Sequence, residues 1–441
     1  MKRHLLTFVA ALAAMAGVAR ADVVTDWNTE LLNSIKAGNV NPPMATRGMA
    51  MVHTAIYDAV NSIDDTHQPY NINLNVAATT SREAAAAQAA RDVLVHLYPA
   101  RTAIFDAALS THLSAIPDGA DKTAGIGLGS SVAASIIALR TGDHSTDVVP
   151  YSPTPGVGNW QPTPPANAAA LLPNWPTVTP WAMTSGSQFR NPNGPPDVNS
   201  PAYTTAYNEA KDLGSATSAT RTADQSQIAQ FWADGGGTST PPGHWNRIAQ
   251  DVAAAQGNTL SENARMFALL NIAAADAAIS CWDNKYAYED WRPVTAIRAG
   301  DTDGNGDTAG DAAWSSFIPT PPFPSYTSGH STFSGAAAEI LAGFFGTDNI
   351  AFTSSAEGFV IPDRSFTSFS QASNEAMNSR LYGGIHWRYD NEDGLAGGIA
   401  LAQYVLATQL QPVPEPSTIA LVGMAALGLG WRVRRRLANR G

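Results

Sequence analysis

Cysteine is almost absent: Cys281 is the one cysteine in 441 residues. An internal disulfide is excluded, and so is a cysteine-based zinc site. The chain has to rely on a packed core, and Cys281 reads as a small buried apolar residue. Charge is also sparse, at 14% of residues. Lys and Arg number 26 against 37 Asp and Glu, for a formal net charge of −11. So acidic a body argues against nucleic acid or an anionic membrane surface as a partner of the whole body, and any anion site must be a local cluster of cations. Period-two alternation is scarce, which argues against a β architecture. Between the two chain ends, no apolar stretch reads as long enough and uncharged enough to span a bilayer. What is abundant is hydrophobic sequence, at 44%, enough for one large globular domain or two smaller ones.

The two ends read as addresses rather than as parts of the fold. "MKRHLLTFVAALAAMAGVARA" has a basic start, an apolar run and Ala19-Arg20-Ala21 before Asp22. That is the three-part pattern of a secretory signal, so residues 1–21 are expected to be removed on export. At the other end, "VPEPSTIALVGMAALGLGWRVRRRLANRG" joins Pro-Glu-Pro to a short apolar run and the cluster Arg432, Arg434, Arg435, Arg436. This tail, residues 411–441, resembles the PEP-CTERM sorting signal of Gram-negative bacteria. The resemblance implies recognition by an exosortase-type membrane protease. It also implies an exported protein in the periplasm, at the cell surface or outside the cell. A plain C-terminal membrane anchor is the alternative reading.

Between the tails the chain reads as all-α. "SREAAAAQAARDVLVHLYP" opens on Ser81 as a helix cap and stops at Pro99. "RTAIFDAALSTHLSAIP" carries apolar residues at helical spacing, and "DKTAGIGLGSSVAASIIALRTGD" is small and apolar, suited to close packing. "ENARMFALLNIAAADAAISCWDNKYAYEDW" is apolar nearly all round, the mark of a central helix. "STFSGAAAEILAGFFG" and "GLAGGIALAQYVLATQL" add two more. Residues 150–201 break this pattern with a run of prolines, yet hold Trp160, Trp175 and Trp181. Disordered segments are poor in aromatics, so this stretch is expected to be an ordered excursion over the helices. "DTDGNGDTAGD" begins like an EF-hand loop, but Ala312 stands where the bidentate Glu is needed, and it reads as an Asp/Gly turn.

Three short clusters carry the chemistry. In "KYAYEDWRP", Lys285 and Arg292 lie seven residues apart, two turns of a helix, so both cations are expected on one face, with Pro293 ending or kinking the helix. In "PSYTSGHSTFSGA", Ser328 offers a hydroxyl, Gly329 a close backbone N–H and His330 a proton carrier, at the mouth of a helix expected to begin near Ser331. In "SRLYGGIHWRYD", Arg380 precedes His386 by six residues and Asp390 follows it by four. An aspartate at that spacing can hold the second N–H of the imidazole and sharpen its other nitrogen. Each cluster alone has a plain structural explanation: surface cations, a helix cap, a satisfied core histidine. Together, three cations, neutral donors and two histidines suit a tetrahedral oxyanion of high charge, phosphate or vanadate.

Lys-x6-Arg-Pro, Ser-Gly-His and Ser-Arg-x5-His, in this order, resemble the signature of the vanadium-dependent haloperoxidase and type-2 phosphatidic acid phosphatase superfamily. One departure is Thr327, where the family has proline. "RGMAMVHTAIYDAVN" and "NWQPTPP" also look like bacterial haloperoxidase-related sequences, so the resemblance covers about residues 22–410, expected to form one helical catalytic domain. It implies vanadate as cofactor, with His386 as the axial ligand of vanadium and His330 as acid–base. Lys285, Arg292, Ser328, Gly329 and Arg380 would hold the oxyanion, and Lys285 would also polarise peroxide. Asp390, Trp282 and Phe323 would support the site. Trp282, three before Lys285, and Phe323, seven before His330, match the chloroperoxidase pattern, with plain wall packing as the alternative. The implied activity is oxidation of halide by hydrogen peroxide to hypohalous acid, on small-molecule substrates, in a helical bundle that is often oligomeric. The alternative is a soluble acid phosphatase that forms a phosphohistidine on His386. A fold retained without activity is the non-enzymatic reading, and the intact motifs count against it. His53 reads as a satisfied core residue. His244, in "PPGHWNR", reads as a loop residue from which the pocket could be reached, with nothing in the sequence that gives it a role there.

Overall fold

A computed structural model describes residues 22–413. The signal-like residues 1–21 and the tail beyond Val413 lie outside the described residues. Among the described residues there are thirteen α-helices. They are α1 (Val23–Gly38), α2 (Pro42–Asp64), α3 (Arg82–Leu97), α4 (Thr102–Ser114), α5 (Ala120–Leu139), α6 (Pro201–Gly214) and α7 (Ala223–Phe231), then α8 (Thr240–Gln256), α9 (Leu260–Tyr288), α10 (Pro293–Ala299), α11 (Gly329–Phe345), α12 (Phe369–Tyr382) and α13 (Arg388–Thr408). One antiparallel pair, β1 (Phe352–Ser354) with β2 (Arg364–Phe366), is the only sheet among them, in the register Thr353 opposite Ser365. The all-α expectation holds.

The central helix is α9, which packs on α2, α11 and α13. Thr259 and Glu262 close its start as a reciprocal capping box, and Glu289 closes its end in the left-handed region. Its apolar residues are buried on every face, as the sequence implied. That also explains a correction. By length and composition α9 and α5 could both cross a membrane, with mean hydropathies of 1.3 and 1.4. The α9 window is 94% buried inside the protein, so its apolar character serves the core. Helix α5 seats Gly125 and Gly129 against the backbone of α3, where a Cβ would collide with the carbonyls of Ser81 and Ala85.

The α11–α13 crossing fixes the site. Gly398 lies so close to α11 that a Cβ there would run into the Thr332 carbonyl, and Gly335 meets the Leu395 carbonyl in the same way. This close approach brings the starts of both helices together, and Ser328 N–H donates to the Asp390 carbonyl at 3.0 Å. Residues 150–201 hold little regular structure but are anchored, with Trp160, Trp175 and Trp181 all buried. The buried carboxylate of Asp276 accepts from the N–H groups of Trp181, Ala182 and Met183 at 2.7 to 2.8 Å. In the Asp301–Asp311 turn the carboxylates serve the turn itself: Asp303 accepts from Asn305 N–H and the Thr308 hydroxyl, and Asp301 from Gly310 N–H.

Candidate active site

The first cluster reaches the site by a different route from the one its spacing implied. Helix α9 stops at Tyr288, so Arg292 is not two turns on from Lys285. Arg292 is instead the cap residue of α10, with Pro293 in the first helical position, where its missing N–H costs nothing. Lys285 and Arg292 are both fully buried, brought together by the turn between the helices. The second cluster shifts by one turn. Ser328, not Ser331, is the cap, and Gly329 is the first residue of α11. Ser328 Oγ accepts from the Ser331 hydroxyl at 3.0 Å, which leaves its own O–H to donate. The Gly329 N–H is among the first four of a helix and has no intrahelical acceptor.

His386 sits just before α13, beyond a Gly383-Gly384 turn in which Gly384 has φ +74 and touches Gly214 backbone. Asp390 is in the first turn of α13. Its Oδ2 accepts from His386 Nδ1 at 2.9 Å, from Trp387 N–H at 3.2 Å and from the Ser325 hydroxyl. On the other side of the ring, Arg292 Nη1 lies 3.0 Å from His386 Nε2. A guanidinium only donates, so Nε2 must carry the lone pair and Nδ1 the proton. This is the tautomer that offers Nε2 as a nucleophile or ligand. Burial, then Arg292, Lys285 and Arg380, hold His386 well below the ordinary imidazole value, so it stays neutral. His330 is likewise pushed down, by burial and then Arg380. Its Nε2 donates to the Ala233 carbonyl at 3.3 Å, leaving a lone pair on Nδ1.

Lys285, Arg292 and Arg380 are buried beside these histidines, and among the described residues none of the three forms a salt bridge with a carboxylate. Arg292 donates to the Phe323 and Ile385 carbonyls at 2.8 and 2.7 Å, and Arg380 to the Trp232 carbonyl at 2.9 Å. Arg292 Nη2 and Arg380 Nε are buried without a partner. Burial pushes Arg292 down to about 10, Arg380 to about 9 and Lys285 to about 8. Asp390 and Asp290 offset part of this charge, and burial in turn pushes Asp390 up to about 7 and, with Asp390 beside it, Asp290 well above the carboxylate range. Dry, unpaired guanidinium N–H groups are costly unless an anion completes them. The donor set therefore fits a tetrahedral oxyanion. Lys285 differs from expectation. All three of its N–H donors go to carbonyls, those of Pro324, Ser325 and Thr327, so in this state it gives the site charge but no free donor.

The site opens into a cavity of ≈ 420 Å³, lined among others by Trp282, Phe323, Gly329, His330, Phe333, Arg380 and His386. Trp282 and Phe323 form a wall, ring centroids 5.0 Å apart, and the Lys285 ammonium lies 5.0 Å from the Phe323 ring. His53 is a core residue, bonded to Asn28 and stacked on Phe267. His244 is not in a loop. It lies inside α8, fully buried, with Nδ1 3.1 Å from Asp234 and Nε2 3.0 Å from Ser354 Oγ. Asp234 reaches the cavity; His244 does not line it. Sequence reasoning missed Ser325. Its hydroxyl donates to Asp390, its carbonyl accepts from Lys285 and its N–H donates to the Asp290 carbonyl, so it ties two clusters together. No spacing rule marks it; it is simply a buried serine in a proline-rich approach.

Residues 265–413 match the VCPO second helical-bundle domain, and residues 412–436 match the PEP-CTERM protein-sorting motif. The vanadium chloroperoxidase of Curvularia inaequalis is 28% identical over 460 residues, covering 79% of this chain and 74% of that protein. A solved structure described as the first bacterial vanadium-dependent iodoperoxidase superposes with a TM-score of 0.77 at 29% identity, covering 89% of this chain and 97% of that one. A holo-type bacterial vanadium-dependent chloroperoxidase shares the fold, with a TM-score of 0.68 at 17% identity over 89% of this chain and 93% of that one. The chain thus carries the second helical-bundle domain of the VCPO type and a PEP-CTERM sorting motif, and it is a homologue of the vanadium chloroperoxidases by both sequence and structure.

Proposed function

We propose that the chain is an exported, vanadate-dependent haloperoxidase that oxidises halide with hydrogen peroxide to hypohalous acid. The oxyanion part of this reading rests on the pair of buried, partnerless N–H groups on Arg292 and Arg380, placed around an imidazole whose Nε2 bears the lone pair, and its peroxidase part on the 28% identity to a vanadium chloroperoxidase. Arg292, Arg380, the Ser328 hydroxyl and the Gly329 N–H would hold the oxygens of vanadate, and His386 Nε2 would be its protein ligand. Bound vanadate would supply a Lewis-acidic centre that activates peroxide towards halide. The chain's own residues do the rest. Asp390 fixes the His386 tautomer. Lys285 contributes charge in a dry site, where it acts strongly. His330 Nδ1 is able to take the proton that peroxide gives up. Trp282 and Phe323 give that side of the cavity an apolar face.

The PEP-CTERM motif indicates export and sorting to the cell envelope of a Gram-negative bacterium. Within that statement we read residues 1–21 as a cleaved signal, residues 22–410 as the catalytic domain and the tail as the substrate of an exosortase-type protease. The test is peroxide-dependent bromination of a dimedone dye by protein loaded with orthovanadate in phosphate-free buffer. Turnover that requires vanadate is expected. Vanadate-inhibited hydrolysis of a phosphomonoester with no bromination would instead assign the pocket to the phosphatase chemistry of the same superfamily.

A further inference from the structure

Arg380 and His330 lean on one short corner of the chain. Their only side-chain hydrogen bonds among the described residues go to adjacent carbonyls, from Arg380 to Trp232 at 2.9 Å and from His330 to Ala233 at 3.3 Å. The next residue, Asp234, turns the chain at φ +42, in the left-handed region that a non-glycine residue keeps where its surroundings hold it. After it come Gly235, Gly236 and Gly237, which bring no side chain to anchor the corner. Trp232 is pinned by Glu375, which accepts from its indole N–H at 3.1 Å. The Asp234 end has a different anchor. Its carboxylate lies 3.1 and 3.2 Å from His244 Nδ1 and has no other hydrogen-bond partner among the described residues. A carboxylate only accepts, so Nδ1 carries the proton, and Nε2 accepts from the Ser354 hydroxyl at 3.0 Å. The same imidazole stacks on Trp232, ring centroids 4.6 Å apart. His244 thus grips both ends of the corner from α8, and Ser354 braces it from β1.

We propose that His244, held by Ser354, is a positioning residue: through Asp234 it sets the Trp232 and Ala233 carbonyls, and so aims the Arg380 guanidinium and the His330 imidazole at the oxyanion. The proposal rests on the oxyanion site of the haloperoxidase reading. His244 does not line the cavity, so it acts through the corner alone. It also gives the β1–β2 pair a task, as the brace behind one side of the site.

Two amides separate this role from plain packing. His244→Asn keeps a donor near the place of Nδ1 and can still hold Asp234. His244→Gln carries its amide out to the place of Nε2, where it meets Ser354 and releases Asp234. Equilibrium dialysis of orthovanadate against the full chain in phosphate-free buffer should find His244→Asn within about threefold of wild type and His244→Gln weaker by about tenfold or more. Equal affinities for the two variants, whether both high or both low, overturn the proposal. If neither variant folds, Ser354→Ala, which frees the Nε2 end, should weaken vanadate binding by about threefold, and wild-type affinity there overturns it. If wild type binds no vanadate, the oxyanion reading fails separately, and histidine-selective nitrogen NMR of the ligand-free protein decides the corner alone. His330 should then show one tautomer, protonated at Nε2, in wild type and His244→Asn, and a mixture in His244→Gln. A His330 signal unchanged in His244→Gln overturns the proposal.

Discussion

Replacing Arg380 by Met separates what this residue costs the fold from what it gives the ligand. Burial pushes its guanidinium from the ordinary 12.5 to about 9, with Asp234 offsetting part of this and Arg292 adding to it. At 1.36 kcal/mol per pH unit, holding that charge dry costs roughly 5 kcal/mol. Against this stands one charge-assisted hydrogen bond to the Trp232 carbonyl, worth about 1.5–3 kcal/mol. Met keeps most of the volume and leaves Asp234 its His244 partner. The ligand-free variant should therefore be as stable as wild type, or more stable by up to about 2–3 kcal/mol, in line with other buried charges replaced by apolar groups. For the ~390 described residues the unfolding entropy is about 0.8 kcal/mol/K, so the rise in Tm is at most about 3–4 °C. Ligand binding moves the other way. At a hundredfold excess over Kd, vanadate should stabilise wild type by about 2.7 kcal/mol, or ~3 °C. In Arg380→Met that shift should vanish, because a cation and an unpaired N–H are both gone. Differential scanning calorimetry with and without orthovanadate reads both effects. A ligand-free Tm lowered by more than ~3 °C, or an undiminished vanadate shift, would refute the reasoning.

Other expectations follow from the same geometry. Lys285 is held at about 8 by burial, below its ordinary 10.5. Between those values the unfolded chain binds a proton the folded one does not, so its penalty is full below pH 8 and fades as pH rises to 10.5. Lys285→Met should thus stabilise the ligand-free protein at pH 7 and lose that advantage by pH 10.5 in urea titrations; an advantage that grows with pH contradicts this. Ser325→Ala should weaken vanadate binding about tenfold by loosening Asp390, with Ser325→Thr largely restoring it; equilibrium dialysis that finds all three alike removes the strut role. A Cβ on Gly329 would meet Phe333, Trp282 and Cys281 at 3.7 to 3.9 Å, ordinary contacts. Gly329→Ala should fold normally, gaining up to about 1 kcal/mol, yet bind vanadate at least tenfold more weakly. Unchanged affinity would mean that the glycine is not there for the ligand.

The sequence made the central helix and the site residues legible for different reasons. Helix α9 announced itself because burial on every face leaves few polar residues. No pattern in the sequence picks out α1, α6, α7, α10 or α12, and α8 reads as a loop: "TPPGHWNR" looks like a break, but its prolines occupy the first turn, where they are tolerated. The three clusters were visible as residue types, and the structure brings all of them to one buried site. Their local geometry was not. Helical phase suggested that α9 presents both Lys285 and Arg292, whereas a left-handed Glu289 ends the helix between them. The Asp390–His386 contact was foreseen from spacing, but it forms because Asp390 caps α13. Ser325 and the carbonyls that engage Lys285 belong to tertiary contacts between distant segments, which no local pattern encodes.

The most direct test of the central claim is equilibrium dialysis of orthovanadate against the purified protein and its His386→Ala variant in phosphate-free buffer. The account predicts one vanadate per chain, displaced competitively by phosphate, and no stoichiometric binding to the variant. No binding to wild type, or binding that survives the loss of His386, would contradict the assignment of these buried cations and this imidazole to an oxyanion site.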